Sequence, residues 1–174
     1  EDEQARFLHV KILNINIICL YLPNGNPAPG PKYDYKINWM ERLIKYAKII
    51  YDRNEPLVIG GDFNVIQNSI DCYDVSKWLD DALYLKKTRN LMKELINIGL
   101  LDSFRIKYPY KQEYSFWDYQ AGAWQKDNGI RIDFLLISPE IVDLLLDAGI
   151  DKNIRGKTKP SDHTPVWIEI KKNN

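Results

Sequence analysis

Three short stretches hold the side chains that could do chemistry. Gly60-Gly61-Asp62-Phe63-Asn64 sets a carboxylate and a carboxamide two residues apart, directly after the apolar run Leu57-Val58-Ile59. The glycines let the backbone turn sharply and approach another group closely. Ligands of α/β sheets gather at the carboxyl ends of strands. There an acid and a neutral polar group could hold a proton and a phosphate oxygen together, although the same residue types also make an ordinary turn. In the second stretch, Arg131-Ile132-Asp133-Phe134-Leu135-Leu136-Ile137, a carboxylate lies inside an apolar strand. Burying it unpaired is costly, so Asp133 needs a partner. Arg131 qualifies at strand spacing two; so does a histidine, whose tautomer and charged form the carboxylate would fix. Of the chain's two histidines, His9 falls in the first strand and reads as structural, which leaves His163 in the third stretch, Ser161-Asp162-His163-Thr164-Pro165. Asp162 beside it could ligate a hard divalent cation, which prefers oxygen ligands. His163 would then face a phosphate next to that cation.

Other groups could serve the same centre. Tyr21 and Asn24 close a strand as Asp62 and Asn64 do, and a phenol and a carboxamide are suitable donors to phosphate oxygens; Tyr21 also reads as a half-buried core tyrosine. Phe116 and Trp117, with Tyr114, Tyr119 and Trp124 nearby, could line an apolar pocket or a stacking platform, or be plain core. Lys152, Arg155, Lys157 and Lys159 precede Asp162 and could meet nucleic-acid backbone or simply be solvated.

These groups need a scaffold. Phe7 to Leu13 and Ile15 to Leu22 read as strands joined by a turn around Asn14-Ile15-Asn16, and Pro23 and Gly25 stop the second. Apolar residues at helical spacing predict a helix over Tyr33 to Arg53, and another runs from Lys86 to Ile98, ended by Gly99. Leu57 to Gly60 and Ile130 to Ile137 read as buried strands, and Val65 to Tyr84 as a long surface excursion. A short helix over Ile141 to Leu146, an extended Asp147 to Ile154 and a strand over Val166 to Ile170 complete the pattern. Intermingled strands and helices favour layered α/β packing, and 174 residues favour one domain.

Composition narrows the function. Hydrophobic content of 45% supplies a core, and 24 basic against 24 acidic residues leave no net charge, which argues against a purely electrostatic nucleic-acid binder. Two cysteines, Cys19 and Cys72, make no disulfide framework, which favours a reducing compartment. No apolar run is long enough to span a membrane, and no secretory signal is evident.

Tyr-x-Pro-Asn (Tyr21 to Asn24), Gly-Asp-Phe-Asn (Gly61 to Asn64), Ser-Phe-Trp-Asp-Tyr (Ser115 to Tyr119), Arg-Ile-Asp-Phe-Leu-Leu (Arg131 to Leu136) and Ser-Asp-His (Ser161 to His163) occur in that order. Together they resemble the exodeoxyribonuclease III type of abasic-site endonuclease, in the endonuclease/exonuclease/phosphatase superfamily. The resemblance implies a four-layered, DNase I-like α/β sandwich, two packed sheets flanked by helices, in a monomeric cytoplasmic bacterial enzyme. It implies Mg²⁺ or Mn²⁺ as cofactor and double-stranded DNA with abasic sites or 3′ ends as substrate. It further implies that Asp62 handles the proton of the attacking water or leaving oxygen, and that Asn64, Asn24, Tyr21 and His163 bind the scissile phosphate. Asp133 would orient His163, Asp162 would hold metal with Asp62 and Asn64 as further candidates, and Phe116 and Trp117 would line the pocket for the base-less sugar.

One departure follows from the same resemblance. Family members begin with roughly a further third of chain, carrying strands and a Glu that is a main metal ligand. This sequence starts at Glu1 and has neither, so the chain is expected to be an N-terminally truncated domain that binds metal weakly and is poorly active or inactive alone. Two rival readings are a phosphatase or phospholipid phosphodiesterase of the same superfamily, and an inactive fragment that binds DNA or a partner chain.

Overall fold

The computed structural model describes residues 2–172. Its main sheet runs β1-β2-β3-β5-β4, formed by Phe7–Ile12, Ile15–Tyr21, Leu57–Asp62, Asp133–Ile137 and Leu101–Asp102, in the order β1, β2, β3, β5, β4. Only β2 and β3 pair in parallel; the other neighbours are antiparallel. Helix α1, Pro31–Tyr51, joins that parallel pair, and Pro31 in its first turn has the fixed φ a helix start accepts. The helix therefore starts two residues before the expected Tyr33.

Alternation along each strand sorts the two faces. Ile18, Leu20, Leu57, Ile59, Phe134 and Leu136 pack with α1 and with α2, Lys86–Asn97, in the larger core. Val58, Leu135 and Ile137 face the other way, onto Leu145, Ile168 and Ile170 of a second, two-stranded sheet, β6 (Leu145–Ile150) and β7 (Val166–Ile170). Helix, sheet and sheet thus stack in layers. Short helices α3 (Ser103–Lys107), α4 (Pro139–Val142) and α5 (Lys152–Arg155), with 3₁₀ turns over Ser69–Asp71 and Val75–Lys77, complete the described elements.

Other boundaries also differ from the expected ones, and the extended segment expected over Asp147 to Ile154 gives way to helix from Lys152. The first turn falls on Leu13 and Asn14, both at positive φ, because a two-residue hairpin needs left-handed backbone at both centres. The expected helix over Ile141 to Leu146 ends at Val142, and Leu145 onward pairs with β7. Regular strand β5 starts at Asp133, not Ile130.

The topology sets what can meet. Parallel pairing puts the carboxyl ends of β2 and β3 side by side, with Tyr21 opposite Asp62. Gly61, at φ +139, has no room for a side chain, since a Cβ there would overlap the carbonyl of Leu20. Antiparallel pairing then sets Asp62 directly across from Asp133.

Candidate active site

Distant stretches are zipped together at that end of the sheet. Phe116 bridges both Ile130 and His163, while Thr164 N–H donates to Ser115 O and Trp117 N–H to Asp162 O. The 115–117 segment therefore carries the His163 loop onto the start of β5.

His163 Nδ1 lies 2.8 Å from Asp133 Oδ2, and its Nε2 lies 3.8 Å from Asp62 Oδ2. The histidine, not Arg131, is the partner of Asp133. The same Oδ2 accepts from the Ser115 hydroxyl at 2.6 Å, and that hydroxyl accepts from the Ile132 and Asp133 amides. Ser115 is thus the support of the Asp133–His163 pair, a role its place in an aromatic run did not signal. Arg131, 1% exposed, binds Asp71 and Asp102 instead. The spacing-two rule assumes a regular strand, and here that strand starts only at Asp133.

Asn64, at φ +49, turns its amide back on Asp62: its main-chain N–H donates to Oδ1 at 2.8 Å and its Nδ2 to Oδ2 at 2.9 Å. The second Nδ2 hydrogen goes to Leu22 O, and Asn64 Oδ1 accepts from Asn24 Nδ2 at 3.1 Å. Both amide hydrogens of Asn64 are committed within the chain in this structure, to Asp62 Oδ2 and Leu22 O, so that Asn64 braces Asp62. Asn24 spends one amide hydrogen on Asn64 and has a second. Asn26, unmarked by any motif, bonds Asn24 and both oxygens of Asp81, tying this loop to the 78–85 segment.

These groups border a hollow of about 420 Å³. Tyr21, Asn24, Asp62, Asn64, Asp162 and His163 line its polar side, while Trp78, Leu83, Phe116 and Ile132 form an apolar wall. Phe116 also sits 5.0 Å from the His163 ring. Trp117 does not reach the hollow. It is fully buried, donates its indole N–H to Asp127 at 3.0 Å and packs on Tyr114 and Trp124. Trp78 and Leu83 take the wall positions expected of Trp117; they lie in the Val65 to Tyr84 excursion, whose turn-rich composition hid them. Among the basic cluster, Arg155 is buried and donates to Trp117 O, and Lys152 pairs with Asp127; Lys157 and Lys159 are exposed.

The electrostatics are acid-rich. Burial raises the Asp62 carboxyl to about 7, the nearby Asp133 charge adds to this, and His163 opposes it. Burial works against the charged form of His163. Its hydrogen bond to Asp133 and the charges of Asp133, Asp62 and Asp162 outweigh this and hold its pKa above the ordinary value. Asp62 and His163, 3.8 Å apart, each act on the other's titration, a coupled arrangement suited to proton transfer. Beneath them, burial pushes Lys36 down to about 7, with Asp81 and Asp62 pulling it back up.

Comparison with known proteins bears on this geometry. The model for the Endonuclease/Exonuclease/phosphatase family matches residues 3–163. The chain belongs to that family. Exodeoxyribonuclease III of Haemophilus influenzae is 30% identical over 98% of this chain and 68% of its own length. An exodeoxyribonuclease of Bacillus subtilis is 30% identical over 97% of the chain and 65% of its own length. A Neisseria 3′ phosphatase, NExo, bound to a product DNA hairpin superposes with TM-score 0.95 and 32% identity, over 98% of this chain and 66% of the other. An AP endonuclease from Archaeoglobus fulgidus does so at 0.90 and 31% identity, over 95% and 65%. The fold is therefore the DNase I-like fold of the AP endonucleases. The chain spans about two thirds of the length of these family members.

Proposed function

We propose that the hollow is the phosphodiester-hydrolysing site of a DNA-repair nuclease, which incises 5′ to an abasic site and removes nucleotides from 3′ ends. One observation carries this reading: Asp62 and His163, drawn from two distant stretches, share one hollow with an apolar wall, and Asp133, from a third, holds His163 by its Nδ1. Asp62, poised near neutrality, takes the proton of the attacking water or returns one to the leaving oxygen, a contribution of about 10²–10⁴ in rate. His163, held charged by Asp133, binds a phosphoryl oxygen and the charge that develops on it. Tyr21 and Asn24 donate to the remaining oxygens. Phe116, with Trp78 and Leu83, packs against a sugar that carries no base.

A divalent cation fits this site only in an open mode. Asp62, Asp81, Asp118 and Asp162 all border the hollow, so it receives a phosphate anion poorly without a cation. Yet no group of three or more His, Cys, Asp or Glu side chains arranged for a metal occurs among the described residues. Mg²⁺ uses one or two carboxylates together with water and phosphate oxygens; Asp162 and Asp62 would supply those carboxylates, with the Asn64 carboxamide oxygen as a further candidate ligand. Bound there, the ion would neutralise phosphoryl charge and lower the pKa of a water. With so few ligands among the described residues, they would bind the ion weakly and cleavage by the chain alone would be slow.

The NExo likeness supports a second substrate for the same site, a 3′-terminal phosphate. A panel decides: duplexes carrying an abasic site, a 3′-phosphate or an intact 3′ end, plus a phosphoinositide and sphingomyelin, each with Mg²⁺ or Mn²⁺ and with EDTA. Slow, metal-dependent cleavage of the DNA substrates is expected. Hydrolysis of the lipids alone overturns the reading, and cleavage as fast as that of the full-length B. subtilis enzyme overturns the weak-metal part of it.

A further inference from the structure

Lys36 lies on α1 and belongs to none of the motifs that mark the hollow, yet it reaches underneath it. The side chain is fully buried. Its Nζ donates to Asn24 O at 3.0 Å and to Asn64 O at 2.6 Å. Those two residues come from loops 40 positions apart, and their carboxamides meet directly above the ammonium through the Asn24 Nδ2–Asn64 Oδ1 bond. Asn64 in turn grips both oxygens of Asp62. The lysine stem is closely housed: Gly25, at φ +89, leaves the space, since a Cβ there would come within 2.6 Å of Lys36 Cδ.

A buried ammonium is an expensive way to fill space, and a methionine would fill it without desolvating a charge. Its acceptors are also informative. A core lysine kept for stability alone would pair with a carboxylate; this one binds the main-chain carbonyls of the two asparagines that border the reacting groups. We propose that Lys36 is a positioning residue, clamping the Asn24 and Asn64 main chains together so that Asn64 holds Asp62 in place and Asn24 presents its second amide hydrogen to the phosphate. This rests on the hydrolase reading of the hollow. Without the clamp the two carbonyls lose their shared donor, the loops part, and Asn64 is free to turn away from Asp62.

The test uses the whole chain with Lys36→Met and Lys36→Gln, and with Lys36→Arg, which keeps the charge and the donors. First, solvent exchange of the Asn24 and Asn64 side-chain amides is followed by NMR without metal or DNA. At least tenfold faster exchange is expected in the Met and Gln variants, with partial restoration in Arg. Second, single-turnover cleavage of an abasic duplex is measured in a cycle with Asn24→Ala. Lys36→Met is expected to lower the rate constant at least tenfold with a KM change under threefold, and to do little more once Asn24 is gone, because the two act as a unit. Unchanged amide exchange in the Met and Gln variants overturns the proposal whether or not the chain cleaves DNA, and so does a fully additive cycle. If wild type cleaves nothing, the hydrolase reading fails separately, and the exchange measurement still decides whether Lys36 is the clamp. Should Lys36→Met not fold, Lys36→Gln carries both arms.

Discussion

Arg131 and Asp133 are two residues apart, and each anchors a cluster of charged side chains, but the clusters differ in kind. The Arg131 cluster is closed. Asp71 is fully buried and receives both Arg131 and Arg105, Asp102 takes the other end of Arg131, and the guanidinium lies 4.5 Å from the Phe134 ring centroid. Charges there are matched and sealed. The Asp133 cluster is open. His163 and Asp62 face each other at 3.8 Å across a hollow, His163 is 30% exposed at its side chain, and the acids outnumber the bases. The closed cluster joins the 71, 102–105 and 131 segments; the open one leaves the Asp62 pKa misplaced near neutrality. Residue type does not separate structural from chemical charges here. Whether the charges are satisfied within the chain does, and perturbed titration beside a cavity is the mark of the second kind.

Substitutions should separate the two clusters. The largest effect is expected from His163→Ala: metal-dependent cleavage of abasic DNA falls by about 10²–10⁴, while the thermal midpoint stays close to wild type. Arg131→Met should do the reverse. Asp102 loses its partner and Asp71 keeps only Arg105, which costs about 3 kcal/mol, a drop of roughly 6–12 °C for a chain of this size. Calorimetry and a cleavage assay at a temperature where both variants are folded separate the two outcomes. If His163→Ala melts like Arg131→Met, the open cluster is structural after all.

A subtler effect is expected from Asp133→Asn, read by NMR titration of the metal-free chain. The imidazolium loses its acceptor and a neighbouring charge, so the His163 midpoint falls. Asp62 loses a like charge, so its midpoint falls from about 7 as well. The sign extends to stability. The fold holds a proton on Asp62 that an unfolded carboxyl, at 3.8, has already released. Its contribution is therefore fully present below about 4 and is lost as pH rises through about 7. Comparing wild type with Asp62→Ala at pH 5 and pH 8 should show the metal-free wild type losing ground at the higher pH. The smallest effect is Ser115→Ala: two main-chain donors and Asp133 lose the hydroxyl, a loss of about 1–2 kcal/mol in chemical denaturation.

The strand-end residues were legible in the sequence because their signals are local: glycines before Asp62, a lone acid in an apolar run, a histidine beside an acid. The layered fold followed from the helical faces of α1 and α2 and from apolar strands at β3 and β5. Long-range partners were less legible. Nothing near Arg131 announces Asp71, sixty positions away. A tryptophan's neighbours do not say which side of a wall it occupies, so Trp117 went to the core and Trp78 to the hollow. Lys36 reads as one more charged residue on a helix, since only the tertiary fold brings Asn24 and Asn64 over it. The two-stranded sheet was half seen, because β6 is short and broken by Asp147 and Gly149, which favour turns.

The most direct test is single-turnover cleavage of a duplex bearing one abasic site, with Mn²⁺ at millimolar concentration, by wild type, Asp62→Ala and His163→Ala. Slow incision 5′ to the site, abolished by EDTA and lost in both variants, is the predicted result. No incision by wild type at any Mn²⁺ concentration, or incision that persists in EDTA or in either variant, would contradict it.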